Sequence, residues 1–272
     1  VLLAATARLF AAVAWDTHSA SLRRELEPDA TSTVATFCAS DVDGLPAPVA
    51  RFFRASLRDG QPLIRIADVR TEGWFQTGAT PDDWRPFAAT QRFSTQPPGF
   101  IWDARIRIAP FTRVYVRDAY VGGHAEMQGR VLALFPVLAA AGTRDLAIGE
   151  LQRYLAETAW FPTALLPGPH PVRWRPIDAT TAEATLTDRD VSVTARFTFA
   201  DNGDIAEVFV ADRMRLVDGQ AVPTPWVVRC GDYAVQQSVR IPRSCEVAWV
   251  LPEGPLPYWR GRVVDVSYDH AR

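Results

Sequence analysis

FIWDARIRIAPFTRVYVRDAYV, residues 100–121, decides the fold. In its first half Trp102, Ala104 and Ile106 alternate with Asp103, Arg105 and Arg107, the period of two that gives a strand one apolar and one polar face. Pro110–Phe111 breaks the run, and TRVYVRDAYV resumes it until Gly122–Gly123. Alternating runs separated by such turn signals build an antiparallel meander. The pattern extends upstream through LIRIADVRTEGWFQT (63–77) and FAATQRFSTQ (87–96), and downstream through HAEMQGRVLAL (124–134).

After Phe135–Pro136 the period changes to that of a helix. Thr143 is placed to cap RDLAIGELQRYLAETAWF (144–161), and Pro162 ends that helix or starts another turn. From Val172 strands return as VRWRPID, AEATLT, VSVTARFTFA, IAEVFVADRMRLV, WVVRCGDYAVQQSVRI, CEVAWVL and GRVVDVSYDH. In DNGD, Asn202–Gly203 predict a hairpin turn with positive φ at both central positions. The N-terminal residues 1–27 read as an alanine-rich helix closed by Pro28, and VARFFRASLR as a short amphipathic helix ending near Gly60. These elements predict an α+β protein: one curved antiparallel sheet, a half-barrel of about twelve strands, with helices packed across its concave face. Residues 1–44 form the N-terminal helix and a polar connector, and residues 45–272 a single domain with a helical insert at about 143–166.

Composition removes several functions. The chain has 272 residues, 29 basic against 31 acidic, and every basic residue is arginine. Without lysine there is no Schiff-base or pyridoxal-phosphate chemistry and no Walker-type phosphate loop. A net charge of −2 supplies no general field for a nucleic acid, which is not expected as a partner. The four histidines, His18, His124, His170 and His270, and the three cysteines, Cys38, Cys230 and Cys245, show no metal-ligand spacing, so neither a metal nor a cofactor is expected. Cys230 and Cys245 read as free thiols. The opening VLLAATARLFAAVAW is too short to span a bilayer core of about 30 Å; it reads as a helix packed on the body, or as a segment that brings the chain to a membrane surface. The compartment stays open between cytoplasmic and membrane-associated.

RYLAETAWFPTALLP and LPEGPLPYWRGR resemble a family of uncharacterised bacterial proteins, mainly actinobacterial, whose domain has no known function. LPAPVARFFRASLRDGQP, WRPFAATQRF, PPGFIWDARIRIAP and RVYVRDAY extend the likeness over nearly everything from Leu45 to Tyr268. The order of sheet, helical insert and sheet is also similar in topology to the half-barrel lipoprotein carriers of bacterial envelopes. That second resemblance implies an apolar cavity between concave sheet and helices.

Glu150, Arg153, Tyr154 and Glu157 recur at i, i+3, i+4 and i+7 and predict one polar stripe along the insert helix. Turned to water it is a set of ion pairs; turned to the sheet it is an acid, base and phenol network. Ala147, Leu151, Leu155 and Thr158 compete for the inward position. Asp103 and Asp118 sit within strands beside arginines, where cross-strand pairing competes with a place in a ligand site. His124, after Gly122–Gly123, is a further acid–base candidate. Trp102, Trp160, Trp226, Trp249 and Tyr258 are candidates for an aromatic ligand wall, and PEGPLPYWRGR is expected to cross the sheet edge. The sequence therefore points to a protein that binds a hydrophobic or lipid-like small molecule. The alternative is a cofactor-independent isomerase, cyclase or hydrolase in the same cavity, with Glu150, Glu157 or His124 moving the proton and Arg153 and Tyr154 holding the substrate.

Overall fold

The structure, a computed structural model, describes residues 2–27, 35–77, 82–168 and 170–270. Among the described residues three α-helices, α1 (Leu2–Glu25), α2 (Ala47–Ser56) and α3 (Arg144–Glu157), accompany thirteen strands. The strands are β1 (Ile64–Gln76), β2 (Trp84–Thr95), β3 (Pro98–Ala109), β4 (Thr112–Val121), β5 (His124–Val131), β6 (Phe135–Ala141), β7 (Val172–Pro176), β8 (Thr181–Asp188), β9 (Val191–Phe199), β10 (Ile205–Val217), β11 (Gln220–Gln236), β12 (Val239–Leu251) and β13 (Gly254–His270). All belong to one antiparallel sheet in the order β6-β5-β4-β3-β2-β1-β13-β12-β11-β10-β9-β8-β7. Its strands are consecutive except where β13 returns to pair with β1. The chain thus lays down one arm of the sheet, crosses through the helical insert, and builds the other arm back toward the first.

Burial follows the strand period: along β9, Val191, Val193, Ala195, Phe197 and Phe199 are buried, while Ser192, Thr194 and Arg196 face outward. α3 touches β3, β4 and β5 on one arm and β9 and β10 on the other, so the sheet curves around it. Thr143 caps α3, its Oγ1 accepting from the Leu146 amide at 3.2 Å, and Asp145 sits in the positively polarised first turn. α2 buries Val49, Phe52, Phe53 and Ser56 against the same concave core.

Four expectations need correction. Residues 135–141 do not turn helical; they form the edge strand β6, the thirteenth, which Gly142 ends with a φ of +71° before α3 begins. The stretch WVVRCGDYAVQQSVRI is two strands, because Gln237 and Ser238 both take positive φ and turn β11 into β12. In the DNGD turn only Gly203 has positive φ; a Cβ there would meet the Arg51 carbonyl of α2 at 2.9 Å. PEGPLPYWRGR does not cross the edge but opens β13, between β12 and β1. Pro28 lies outside the described residues.

α1 lies on the face opposite α2 and α3. Its partners Ile101, Asp103, Arg117 and Ala119 alternate with the concave-face residues Trp102 and Asp118. Trp15 Nε1 donates to both Asp103 oxygens at 3.2 and 3.1 Å, and Ser19 Oγ donates to the same carboxylate. Arg117, buried beneath the helix, donates to the Trp15 carbonyl at 2.7 Å and to Ser19 Oγ at 2.8 Å, with its guanidinium 4.1 Å from the Trp15 ring centre. Apolar packing adds Leu22 and Leu26 against Ile101, Ala119 and Val121, and the Trp15 ring edge-on to Tyr115 with ring centres 5.8 Å apart. A helix held mainly by polar contacts depends on each of them being complete. Replacing Asp103 by Ala strands the Trp15 and Ser19 donors at a cost of about 1–3 kcal/mol. Hydrogen exchange should then accelerate through α1 with β11–β13 unchanged; uniform exchange across both would refute a clamp of this kind.

Candidate functional site

Between α3 and the concave face lies a cavity of about 430 Å³. This is within the roughly 300–1,000 Å³ of small-molecule sites. α3 contributes one side through Leu146, Gly149, Glu150, Arg153, Ala156 and Glu157, which recur at helical spacing. Leu151 and Leu155, on its other side, are sealed in the core. The polar stripe therefore faces the cavity, not water.

Arg153 is the centre of that stripe. Its Nη1 donates to Asp118 Oδ2 at 2.5 Å and its Nε to Glu157 Oε1 at 3.0 Å, while Glu150 Oε2 stands 3.9 Å from Nη1. Its guanidinium lies 5.0 Å from the Trp102 ring centre and 5.1 Å from that of Phe100. Burial by itself lowers the Arg153 pKa, but Glu157, Asp118 and Glu150 together raise it above the ordinary value. From the other arm Arg213 donates to the Gly149 carbonyl and, at 3.4 Å, to Glu150 Oε1. Glu157 Oε2 accepts from Gln91 Nε2 at 2.6 Å, so both of its oxygens are engaged. Glu150 Oε2 and Asp118 Oδ1 have no hydrogen-bond partner among the described residues. Burial raises the pKa of both carboxyls, opposed by Arg213 at Glu150 and by Arg153 at Asp118; Glu150 is pushed up to about 7. It is a buried carboxyl able to exchange a proton near neutrality.

Aromatic rings form much of the remaining wall. Trp226 and Trp249 are direct cross-strand neighbours on β11 and β12, and Trp226 Nε1 donates to the Tyr258 hydroxyl at 2.9 Å. Tyr258 stacks on Trp249 with ring centres 5.9 Å apart. A β-bulge pairs Val247 with Trp259 and Ala248 with Pro257, so Tyr258 is unpaired, and both Tyr258 and Trp259 line the cavity despite being consecutive. A second irregularity, between Val210 and Arg213, brings the guanidinium of Arg213 onto α3. Cys230 and Cys245, opposite each other across β11 and β12, line the same wall as free thiols with their sulfurs 3.1 Å apart.

Of the residues singled out in the sequence, Glu150, Arg153, Glu157, Asp118, Trp102, Trp160, Trp226, Trp249 and Tyr258 meet at this cavity. Three do not. Tyr154 is rotated roughly 100° around the helix from Arg153; it is buried beside Phe93 and Phe161 and donates to the Ser94 carbonyl at 2.9 Å. Asp103 faces α1 on the outer side, and His124 is exposed at the start of β5. Arg213 and Phe75 were missed, whereas Trp259 lines the cavity within the PEGPLPYWRGR segment that the sequence singled out. For Arg213 strand alternation is interrupted by an irregularity that nothing in the local sequence announces. Among the described residues no three His, Cys, Asp or Glu side chains are grouped to hold a metal ion.

Residues 35–261 match the model of a family of unknown function, DUF6544. The chain belongs to that family. No curated protein matches it. Among solved structures, it is similar to a LolA superfamily protein from Nitrosomonas europaea, with 13% identity and a TM-score of 0.43 over 82% of this chain and 92% of that one. It is similar to the same degree to a DUF1329 family protein from Desulfovibrio piger, with 10% identity and a TM-score of 0.43 over 82% of this chain and 93% of that one.

The raised Glu150 pKa makes stability depend on pH. Because the folded state binds this proton more tightly than the unfolded chain, the contribution is complete below the ordinary value of 4.5 and is lost as pH rises through about 7. Glu150→Gln keeps the shape and has no charge to bury. Its melting temperature should gain on that of the unmodified protein between about pH 5 and about pH 8; a gap independent of pH would show that Glu150 is not held protonated by the fold.

Proposed function

We propose that this protein binds an apolar small molecule in the cavity between α3 and the concave face. The observation that carries this reading is an unfilled space of about 430 Å³ walled by Trp102, Trp160, Trp226, Trp249 and Tyr258. Aromatic walls offer large contact area with little rotamer entropy to lose, which suits a flat or flexible apolar ligand. One observation favours a second reading, an acid–base enzyme in the same cavity: Glu150 stands beside the space with its pKa near neutrality.

A single experiment separates the two. Protein purified without detergent is analysed by native mass spectrometry, and the bound molecule is extracted, returned to stripped protein and recovered. Recovery of the same compound supports binding; recovery of an altered compound supports turnover. Val228 is buried in the cavity wall, and Val228→Phe narrows the space by a ring. Overpacking of this kind costs about 1–3 kcal/mol, so the variant should fold yet arrive with less ligand. A fully occupied variant would reject the cavity as the site.

Such ligands partition into membranes, and α1 offers a surface for reaching one. Leu9, Phe10 and Val13 are exposed on it, and Arg8 Nη2 donates at 3.4 Å to the carbonyl of Phe111, which is 90% exposed at the β3–β4 turn. Among the described residues no helix is long and apolar enough to cross a membrane, so the contact proposed is with its surface. Co-sedimentation with phosphatidylcholine vesicles should drop several-fold in the Phe10→Ser, Phe111→Ser double variant, and unchanged co-sedimentation would remove this surface from the account.

A further inference from the structure

The cavity has a polar end whose charge identifies more of the ligand than its apolar walls do. Three carboxylates, Asp118, Glu150 and Glu157, face two guanidiniums, Arg153 and Arg213, and Asp145 and Arg215 also line the cavity, so the fully ionised lining is one negative charge in excess. Both guanidiniums of this cluster are already paired. Arg153 is taken by Asp118 and Glu157, and Arg213 by Glu150 and the Gly149 carbonyl. The carboxylates of the cluster have acceptor capacity left over, while one indole donor of the wall, Trp160 Nε1, is also unpartnered among the described residues. Glu150 Oε2, on a side chain 1% exposed, and Asp118 Oδ1, on one 10% exposed, lack a hydrogen-bond donor among the described residues, although both carboxylates flank the same Arg153 Nη1. An ionised carboxylate can only accept, so an incoming group must donate to satisfy them.

We infer that the ligand is an apolar molecule bearing a protonated amine, whose ammonium is received between Glu150 and Asp118 while its apolar part lies among the rings. This rests on the binding reading given above. A carboxylate head would meet like charges in a poorly solvated site, and beside a neutral hydroxyl Glu150 keeps the proton that burial holds on it. An ammonium supplies up to three donors and the missing positive charge, and the faces of Trp160 and Trp259, both in the cavity wall, are attractive to a cation. The proton that burial otherwise holds on Glu150 is released when the ammonium takes its place.

The test is a matched series at neutral pH: decylamine, decanol and decanoate, each below its micellar concentration, displacing the neutral fluorophore N-phenyl-1-naphthylamine. Decylamine should displace it at a concentration at least tenfold below that of decanol, with decanoate weakest. Glu150→Gln and Asp118→Asn, measured separately so that one misfolded variant does not end the test, should each reduce the amine's advantage over decanol while decanol changes little. Equal affinities, or decanoate binding first, overturn the amine and leave the binding reading intact. Failure of the fluorophore and of all three ligands to bind overturns both.

Discussion

The concave side of this protein is organised around one buried cation. Arg153 holds Asp118 of β4 and Glu157 of its own helix, and Glu157 in turn accepts from Gln91 of β2. Arg213 repeats the arrangement from β10. α3 is therefore tied by charge to both arms of a sheet that curves around it. Buried ion pairs of this kind repay little of their desolvation cost as stability, and an apolar contact of equal volume would often hold the helix as well. What charge supplies here is separation: guanidinium and carboxylate groups fix α3 at a distance from the aromatic floor, where leucines and phenylalanines would close the gap.

The two faces of the sheet use arginine for different ends. On the outer face Arg117 is spent on the Trp15 carbonyl and Ser19 hydroxyl of α1, and Asp103 takes the indole and hydroxyl protons of the same residues. Those contacts are mutual, and the Asp103 carboxylate is enclosed by its donors. On the inner face the carboxylates outnumber the guanidiniums and two oxygens are left over. Asp103 and Asp118 occupy comparable places in neighbouring strands, yet one is consumed by structure and the other borders an open space. The difference is the parity of one residue along the ladder, since Trp102 pairs with Asp118 and Asp103 with Arg117.

Much of this was legible in the sequence because it depends on period. The alternation in β3, β4 and β9 and the recurrence of Glu150, Arg153 and Glu157 are local patterns, and the sheet and the stripe follow from them. Tyr154 shows the limit of such reasoning: at i+4 from Glu150 it belongs to the stripe, but one step beyond Arg153 it passes the edge of the cavity and reaches the Ser94 carbonyl. β6 was illegible because Phe135–Ala141 has the small and aliphatic residues of a helix start, and only pairing with β5 makes it a strand. Asp103 and Asp118 could not be told apart until the helix covering each face was known.

The bulges were the least legible features and bear most directly on the site. A regular strand presents alternate residues to one face, so it cannot place two consecutive side chains in one cavity. In β13 the unpaired Tyr258 breaks that rule and stands beside Trp259 in the wall, its hydroxyl held by Trp226. In β10 the irregularity after Val210 lets Arg213 reach the α3 backbone, where the Gly149 carbonyl accepts from its guanidinium. Proline at 255 and 257 cannot donate to a neighbouring strand, which weakens regular pairing where the extra residue is accommodated. The sheet thus gives up regular ladder pairing at two places where the cavity gains an aromatic pair and a second guanidinium.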